Sequence, residues 1–358
     1  MGKITSFIGS LGYARKMQKC EEEGRKRLEN LEFQKHLLFT WEITHQCNLE
    51  CGHCFAESSP RNHDFIDEKV VERVAGESIK VFPKYGKRTI RITGGDPFLH
   101  TALYDIVRSF SSRKERLNYY GLDVETNGWW AVDDERAKEV VGKLKEAGAD
   151  SLSMTNDYWH RLNSPFKNSE HASRIERVSK ENDLLFRMIT VAFPLLKFLN
   201  EKGELIPAAT PIGRGRELPE EYWVSRGQAV STDCFDNCRL KPSSFITPTP
   251  PYIHDEEVTL DPLGNVYLCN SGKQFKHASL SIGNVNKSPL TEILSTGIGS
   301  NPVMKLLREK GLRALTETAG LSAREHWRLY DKMTPCGLCH ETLRVYGEKI
   351  AGRLAENQ

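Results

Sequence analysis

No apolar stretch in the 358-residue chain is long enough to span a bilayer. The best run, residues 191–199, is short and carries Pro194 and Lys197. Neither sign of charge dominates. Fifty Lys and Arg stand against 48 Asp and Glu, a net of +2, so nothing electrostatic points to nucleic acid or an acidic membrane as partner. There is no internal repeat and no low-complexity tract. With 27% charged and 39% hydrophobic residues, the composition excludes a disordered or fibrous chain and fits one large domain, or a domain plus a smaller one. A secretory signal is also lacking. Nine cysteines, an odd number, therefore argue for a cytoplasmic protein with thiol metal ligands rather than a disulfide framework. Met1-Gly2-Lys3-Ile4-Thr5-Ser6 formally fits a myristoylation pattern. Ile4, Phe7, Ile8 and Leu11 share one helical face, for which a helix packed on the body is the plainer reading.

Eight of the cysteines fall into two groups, and the first group follows a strand expected over residues 37–44. Cys47, Cys51 and Cys54 form C-x3-C-x2-C. Three thiolates on one tight loop can hold three irons of a [4Fe–4S] cube, which otherwise takes four cysteines. The fourth iron is then open for chemistry. Zinc, with His53 or His45 as fourth ligand, fits the same spacing. Downstream, strands near 89–93, 122–126, 151–154, 184–192 and 205–210 alternate with helices. One helix is capped by Asp67, one by Asp133 or Asp134 and closed by Gly148, one covers 172–180, and a short one is expected over 195–201. About six strand–helix repeats over 37–216 imply a parallel sheet with helices outside, and both an open barrel and a doubly wound sheet fit. Beyond 216 the pattern changes. Residues 242–254 read as a loop, 258–269 as a hairpin turning at Asp261-Pro262-Leu263-Gly264, and the last 60 residues as helical.

The stretch Thr44-His45-Gln46-Cys47-Asn48-Leu49-Glu50-Cys51-Gly52-His53-Cys54 resembles the cluster loop of the radical SAM superfamily. His53 stands where that family often has an aromatic. Gly94-Gly95-Asp96-Pro97 resembles its GGEP motif, with aspartate for glutamate. Glu125-Thr126-Asn127-Gly128 and the stretch Ser153 to His160 resemble strand ends that contact S-adenosylmethionine (SAM). Gly213-Arg214-Gly215-Arg216 resembles the glycine–arginine element after the sixth strand. The resemblance implies an α/β fold, a partial (β/α)6 barrel over 37–216, with Cys47, Cys51 and Cys54 holding a [4Fe–4S] cluster. It implies SAM held by Gly94, Gly95, Asp96, Pro97, Asn127, Ser153 and Arg214, and Asp157 and His160 near the chemistry.

The second cysteine group resembles a Twitch domain, the shorter relative of SPASM. The resemblance makes residues 217–345 a smaller α+β domain, after an N-terminal extension over 1–36 and before a helix end over 346–358. Cys238, Cys269, Cys336 and Cys339 would hold one auxiliary [4Fe–4S] cluster. A zinc ribbon is the alternative, since C-x2-C pairs also build those. Cys234 is a replacement ligand, a hydrogen-atom donor as in radical epimerases, or inert. The expected activity is removal of a hydrogen atom from a peptide or small-metabolite substrate by a 5′-deoxyadenosyl radical, giving oxidation or bond formation. An electron donor such as flavodoxin or ferredoxin would serve it. A radical epimerase and a non-catalytic electron-transfer protein are the competing readings.

Overall fold

The computed structural model describes residues 36–81, 87–117, 119–189, 193–199, 205–209, 213–223, 256–268, 278–330 and 335–356. The expected N-terminal helix, the loop over 242–254, and Cys20, Cys234, Cys238 and Cys269 lie outside these residues.

Strand β1 (His36–Glu42) leads through the cysteine loop to α1 (Glu68–Val81). The Asp67 carboxylate caps α1 by accepting from Lys69 N at 2.7 Å. Next come β2 (Lys87–Thr93), α2 (Leu103–Ser111), α3 (Lys114–Leu117) and β3 (Tyr119–Thr126). Helix α4 (Asp134–Ala147) begins where Asp133 Oδ1 accepts from Arg136 N at 2.7 Å. It ends at Gly148, whose φ of 95° is the left-handed cap that glycine adopts without strain. Then follow β4 (Ser151–Thr155), α5 (Tyr158–Asn163), α6 (Asn168–Glu181) and β5 (Leu185–Ile189).

The next segment departs from expectation. A short helix was expected over 195–201, but its described part is not helical: β6 (Phe193–Leu199) is a strand pairing antiparallel with β7 (Leu205–Ala208) in a separate two-stranded sheet. The Phe-Pro-Leu-Leu-Lys-Phe-Leu run suits a strand, with Pro194 near its start, where a missing N–H is tolerated. The parallel sheet is completed instead from beyond residue 216. Strand β8 (Glu256–Leu260) lies parallel to β1, and β9 (Asn265–Tyr267) and β10 (Gly283–Asn284) continue antiparallel. The sheet order is β10-β9-β8-β1-β2-β3-β4-β5. Helices α7 (Leu290–Ser300), α8 (Pro302–Ala319), α9 (Ala323–Tyr330) and α10 (Pro335–Glu356) finish the chain.

The sheet runs through the expected boundary at 216, and one apolar core includes Phe39 and Ile92 together with Leu260, Leu290 and Leu338. Polar ties reinforce it: Arg73 on α1 donates to Val285 O at 2.7 Å, and Leu290 N donates to Glu77 at 2.7 Å. The outer face of the sheet supplies Phe39, Trp41, Ile90, Ile92, Leu122, Val124, Leu152 and Met154, all buried. They meet Val71, Ile106, Phe110, Val141 and Ile175 on the helices. Each such side chain stabilises the fold by about 1.5–3 kcal/mol.

The inner face is different. Parallel strands covered on both faces usually read as continuous apolar runs. Here the alternate positions are polar, with Thr40 and Glu42 on β1, Arg91 on β2, Asp123 and Glu125 on β3, and Ser151 and Ser153 on β4. No helix among the described residues is long and apolar enough to cross a membrane.

Candidate functional site

The expected motifs converge at the C-terminal ends of the parallel strands, where α/β folds place sites. After β1 the chain turns into the loop of Cys47, Cys51 and Cys54, which form no disulfide. Cys47 and Cys51 are buried and Cys54 is half-buried. Burial, then the Asp96 charge, push the Cys47 thiol up to about 12, although Leu49 N and Asn127 Nδ2 lie 3.4 and 3.7 Å from its sulfur. Burial and the neighbouring Cys54 and Cys47 raise Cys51 as well. Buried thiols such as Cys47 and Cys51, which resist ionisation, are a poor arrangement without a cation beside them. They are a good one for iron, whose charge deprotonates a ligating thiol. The donor set therefore fits a cluster.

The two histidines considered as a fourth ligand are engaged elsewhere. His45 has Asp64 Oδ2 at 2.9 Å from Nδ1 and Glu42 Oε2 at 3.7 Å from Nε2. His53 turns Nε2 toward Asp157 Oδ2 at 3.6 Å.

The Gly94-Gly95-Asp96-Pro97 loop braces this segment. Gly95 N donates to Thr44 O at 2.7 Å and Asp96 N to Gln46 O at 2.8 Å. A Cβ on Gly94 or Gly95 would lie 2.3 Å from Thr44 O or 2.0 Å from Gln46 O. The neighbouring backbone therefore leaves no room for a side chain at either glycine. Pro97 is buried at the first position of a short 3-10 turn capped by Asp96. The Asp96 carboxylate is fully buried and accepts from Phe98 N at 3.0 Å, Thr126 Oγ1 at 2.8 Å and Asn127 N at 2.9 Å. Burial pushes it up to about 6 against these bonds. Asn127, so fixed, donates from Nδ2 to Asn48 Oδ1 at 2.8 Å and reaches Cys47.

Arg214 closes the other side. Its N–H donates to Cys54 O at 3.1 Å, Nε to Cys51 O at 3.0 Å and Nη2 to Ser58 O at 2.6 Å. Gly213, at φ 55°, packs so tightly that a Cβ would lie 2.4 Å from Phe55 O. The guanidinium, expected at a ligand carboxylate, spends these donors clamping the cysteine loop.

Ser153 lies below the rim. It is buried and donates to Asp123 at 2.9 Å, a carboxylate that also receives Ser151 at 2.6 Å and is raised first by burial. Asp157 caps α5, accepting from His160 N at 3.0 Å, with His160 Nδ1 at 2.8 Å. Burial alone would raise its carboxyl, but the hydrogen bonds from His160 and His53 outweigh it and hold it far below the usual range. His53 is buried, which pushes its imidazole down toward the neutral form. It stacks on Trp159 at 6.1 Å between centroids and meets His160 edge-on at 4.9 Å. The sequence reading noted His53 as a departure and missed Trp159. The aromatic pair Tyr158-Trp159, inside an otherwise polar strand-end motif, was the signal.

Of the second cysteine group, Cys336 and Cys339 lie in the first turns of α10. Cys339 is buried. Arg216 lies between the two regions, with Glu57 Oε1 at 3.1 Å and Nε2 of the buried His340 at 3.5 Å.

Residues 41–191 match the radical SAM superfamily. GTP 3',8-cyclase of Chlorobaculum tepidum is 30% identical over 185 residues, 50% of this chain and 51% of that protein. A probable GTP 3',8-cyclase of Saccharolobus solfataricus is 31% identical over 113 residues, 32% of each. The chain spans about half the length, or less, of these relatives. Among solved structures, native anSMEcpe with bound AdoMet superposes with a TM-score of 0.47 at 15% identity, over 90% of this chain and 98% of that one.

Proposed function

Through residues 41–191 the chain belongs to the radical SAM superfamily, and on that footing we propose that it takes a hydrogen atom from a peptide or small-metabolite substrate, ending in oxidation or bond formation. When bound, a [4Fe–4S] cluster and SAM supply a 5′-deoxyadenosyl radical. The residues of the chain bind, orient and shield. Cys47, Cys51 and Cys54 would hold three irons, and the observation that carries the reading is that three free cysteines, two of them buried, share one loop at a strand end while His45 and His53 face carboxylates.

Asn127 and Arg214 hold the loop in shape from opposite sides. The buried stack of His53 on Trp159, with His160 edge-on, stiffens the end of β4 beside the cysteine loop. Asp96 keeps the β2 and β3 rims in register through Thr126 and Asn127. Cys336 and Cys339 are proposed as half of an auxiliary cluster, with Cys238 and Cys269 as partners from outside the described residues. Arg216 then serves as the physical link between the two sites.

A second reading, cyclisation of a purine nucleotide, is favoured by the identity to the Chlorobaculum tepidum GTP 3',8-cyclase. The test is anaerobic reconstitution with iron and sulfide, followed by SAM and dithionite. The expected result is 5′-deoxyadenosine above the no-protein background; none above it overturns the proposal. Consumption of added GTP with a rearranged product would decide for the second reading.

A further inference from the structure

Among the described residues, one group of His, Cys, Asp and Glu side chains brings three donor atoms within 4.8 Å of one another: His53, Asp157 and His160. It joins two motifs. His53 lies in the cysteine loop just before Cys54, whereas Asp157 caps α5 and His160 lies in its first turn. His53 Nε2 stands 3.6 Å from Asp157 Oδ2, and His160 Nδ1 stands 2.8 Å from Asp157 Oδ1.

Hydrogen bonding accounts for one side of this group and not for the other. Asp157 Oδ1 accepts from His160 N and meets the His160 ring. His53 is 2% exposed, yet its Nδ1 has no hydrogen-bond partner among the described residues, and its Nε2 lies farther from Asp157 than a full hydrogen bond reaches. A buried polar atom left in that state costs about 1–3 kcal/mol. The stack on Trp159, at 6.1 Å between centroids, does not call for it, because a phenyl ring would make the same contact without that cost. What the imidazole adds is a buried nitrogen aimed at a carboxylate.

The spacing suits a small cation. A zinc-class ion takes imidazole nitrogen at about 2.0–2.1 Å and carboxylate oxygen at about 2.0–2.2 Å, so two of its tetrahedral ligands lie about 3.4 Å apart. The 3.6 Å between His53 Nε2 and Asp157 Oδ2 is close to that value. His160 joins by giving its Nδ1 lone pair, the ring proton then resting on Nε2. The donors are held from outside. His160 N fixes the carboxylate, Trp159 backs the His53 ring, and His160 meets that ring edge-on at 4.9 Å. The His160 side chain is 14% exposed against 2% for the other two, which gives an ion a way in.

We propose that His53, Asp157 and His160 form a mononuclear site for a divalent ion of the zinc class, distinct from the cysteine thiols and tying the cysteine loop to the end of β4. Two imidazoles and one carboxylate suit zinc better than calcium or magnesium, which take oxygen ligands. Three protein ligands leave a fourth position for water or for an oxygen of a bound small molecule, the pattern of an open rather than a closed zinc site. The site does not depend on the radical reading, since none of its ligands is a thiol.

The test uses the full chain, reconstituted anaerobically with iron and sulfide, incubated with zinc chloride and desalted against a competing chelator. Zinc and iron per chain are counted in the parent, in Asp157→Asn and in His160→Gln. Asparagine keeps an oxygen for the α5 cap and glutamine a polar group at the partly open position, so both variants should melt like the parent. The parent should hold one zinc more per chain than either variant. Each variant should bind that zinc at least about a hundredfold more weakly, since losing a partner merely outside the ligand shell already costs about 10–100-fold. Iron per chain should stay the same. Zinc-edge X-ray absorption of the parent should show a nitrogen–oxygen shell at about 2.0–2.2 Å that both variants lack. His53→Phe keeps the stack on Trp159 and should lose the same zinc.

Equal zinc in parent and variants overturns the proposal and leaves the three side chains as a hydrogen-bonded brace. So does a His53→Phe chain that retains the zinc. A parental zinc surrounded by sulfur at about 2.3 Å also overturns it, because the ion is then on cysteines. Loss of zinc that only follows loss of iron does the same, because the variants have then opened the whole loop.

Discussion

Arg214 separates two ideas about what a glycine–arginine element does. Its side chain bonds Cys51 O at 3.0 Å and Ser58 O at 2.6 Å, both from a partly buried position on the loop that carries the cysteines. Arg214→Met keeps the aliphatic stem and the backbone bond to Cys54 O but deletes both charge-assisted contacts. Bonds to a charged group contribute about 1.5 kcal/mol each at the low end, so the loop loses about 3 kcal/mol against local opening, roughly a hundredfold in its open population. An open loop releases metal. The assay is iron bound per chain after anaerobic reconstitution and gel filtration, followed over time with a chelator present. The variant should lose iron much faster than the parent, while SAM affinity of the fraction that keeps its iron stays near the parental value. Arg214→Lys should fall between, because one ammonium cannot serve two carbonyls in fixed directions. If Arg214→Met retains iron like the parent and instead binds SAM far more weakly, the clamp argument is wrong and the arginine meets the SAM carboxylate.

Two further predictions concern the cysteines and the inner wall. Cys47→Ala should abolish 5′-deoxyadenosine formation, whereas Cys336→Ala should leave some cleavage and remove the final product; equal loss of cleavage in both would contradict separate roles for the two groups. Asp123 is held above the ordinary aspartate value first by burial and then by Glu125, so the folded chain keeps its proton to higher pH than the unfolded chain does. Its contribution to stability is therefore fully present below the ordinary aspartate range and is lost as pH rises through the higher folded value. Asp123→Asn should flatten the dependence of melting temperature on pH from about 4 upward, and an unchanged slope would count against a raised Asp123.

What the sequence disclosed and what it withheld divide along a physical line. Helix caps at Asp67, Asp133 and Gly148 were legible because capping is local chemistry within a few residues. The cysteine spacing and the order of the strand-end motifs were legible because each lies on one short segment. Residues 195–199, expected within a short helix over 195–201, were misread because so short an apolar run holds too few turns for its period to separate helix from strand. The antiparallel partner that decides it lies across the chain in β7. Strand β8 was read only as half of a hairpin. That it also lies beside β1 in the parallel sheet, 219 residues away at Leu37↔Glu256, is a tertiary fact that no local pattern carries.

The structural contacts of Arg214, Gly94 and Gly95 went unread for a related reason. A motif says that an arginine or a glycine is needed at a strand end, but not whether its neighbour is a ligand or the chain's own carbonyl. The inner wall is the opposite case. The alternation was visible in Thr40-Trp41-Glu42, Arg91-Ile92-Thr93, Asp123-Val124-Glu125 and Ser151-Leu152-Ser153. An apolar residue between two polar ones, repeated on four strands of a sheet helical on one side, leaves the other side to something that is not a hydrocarbon core.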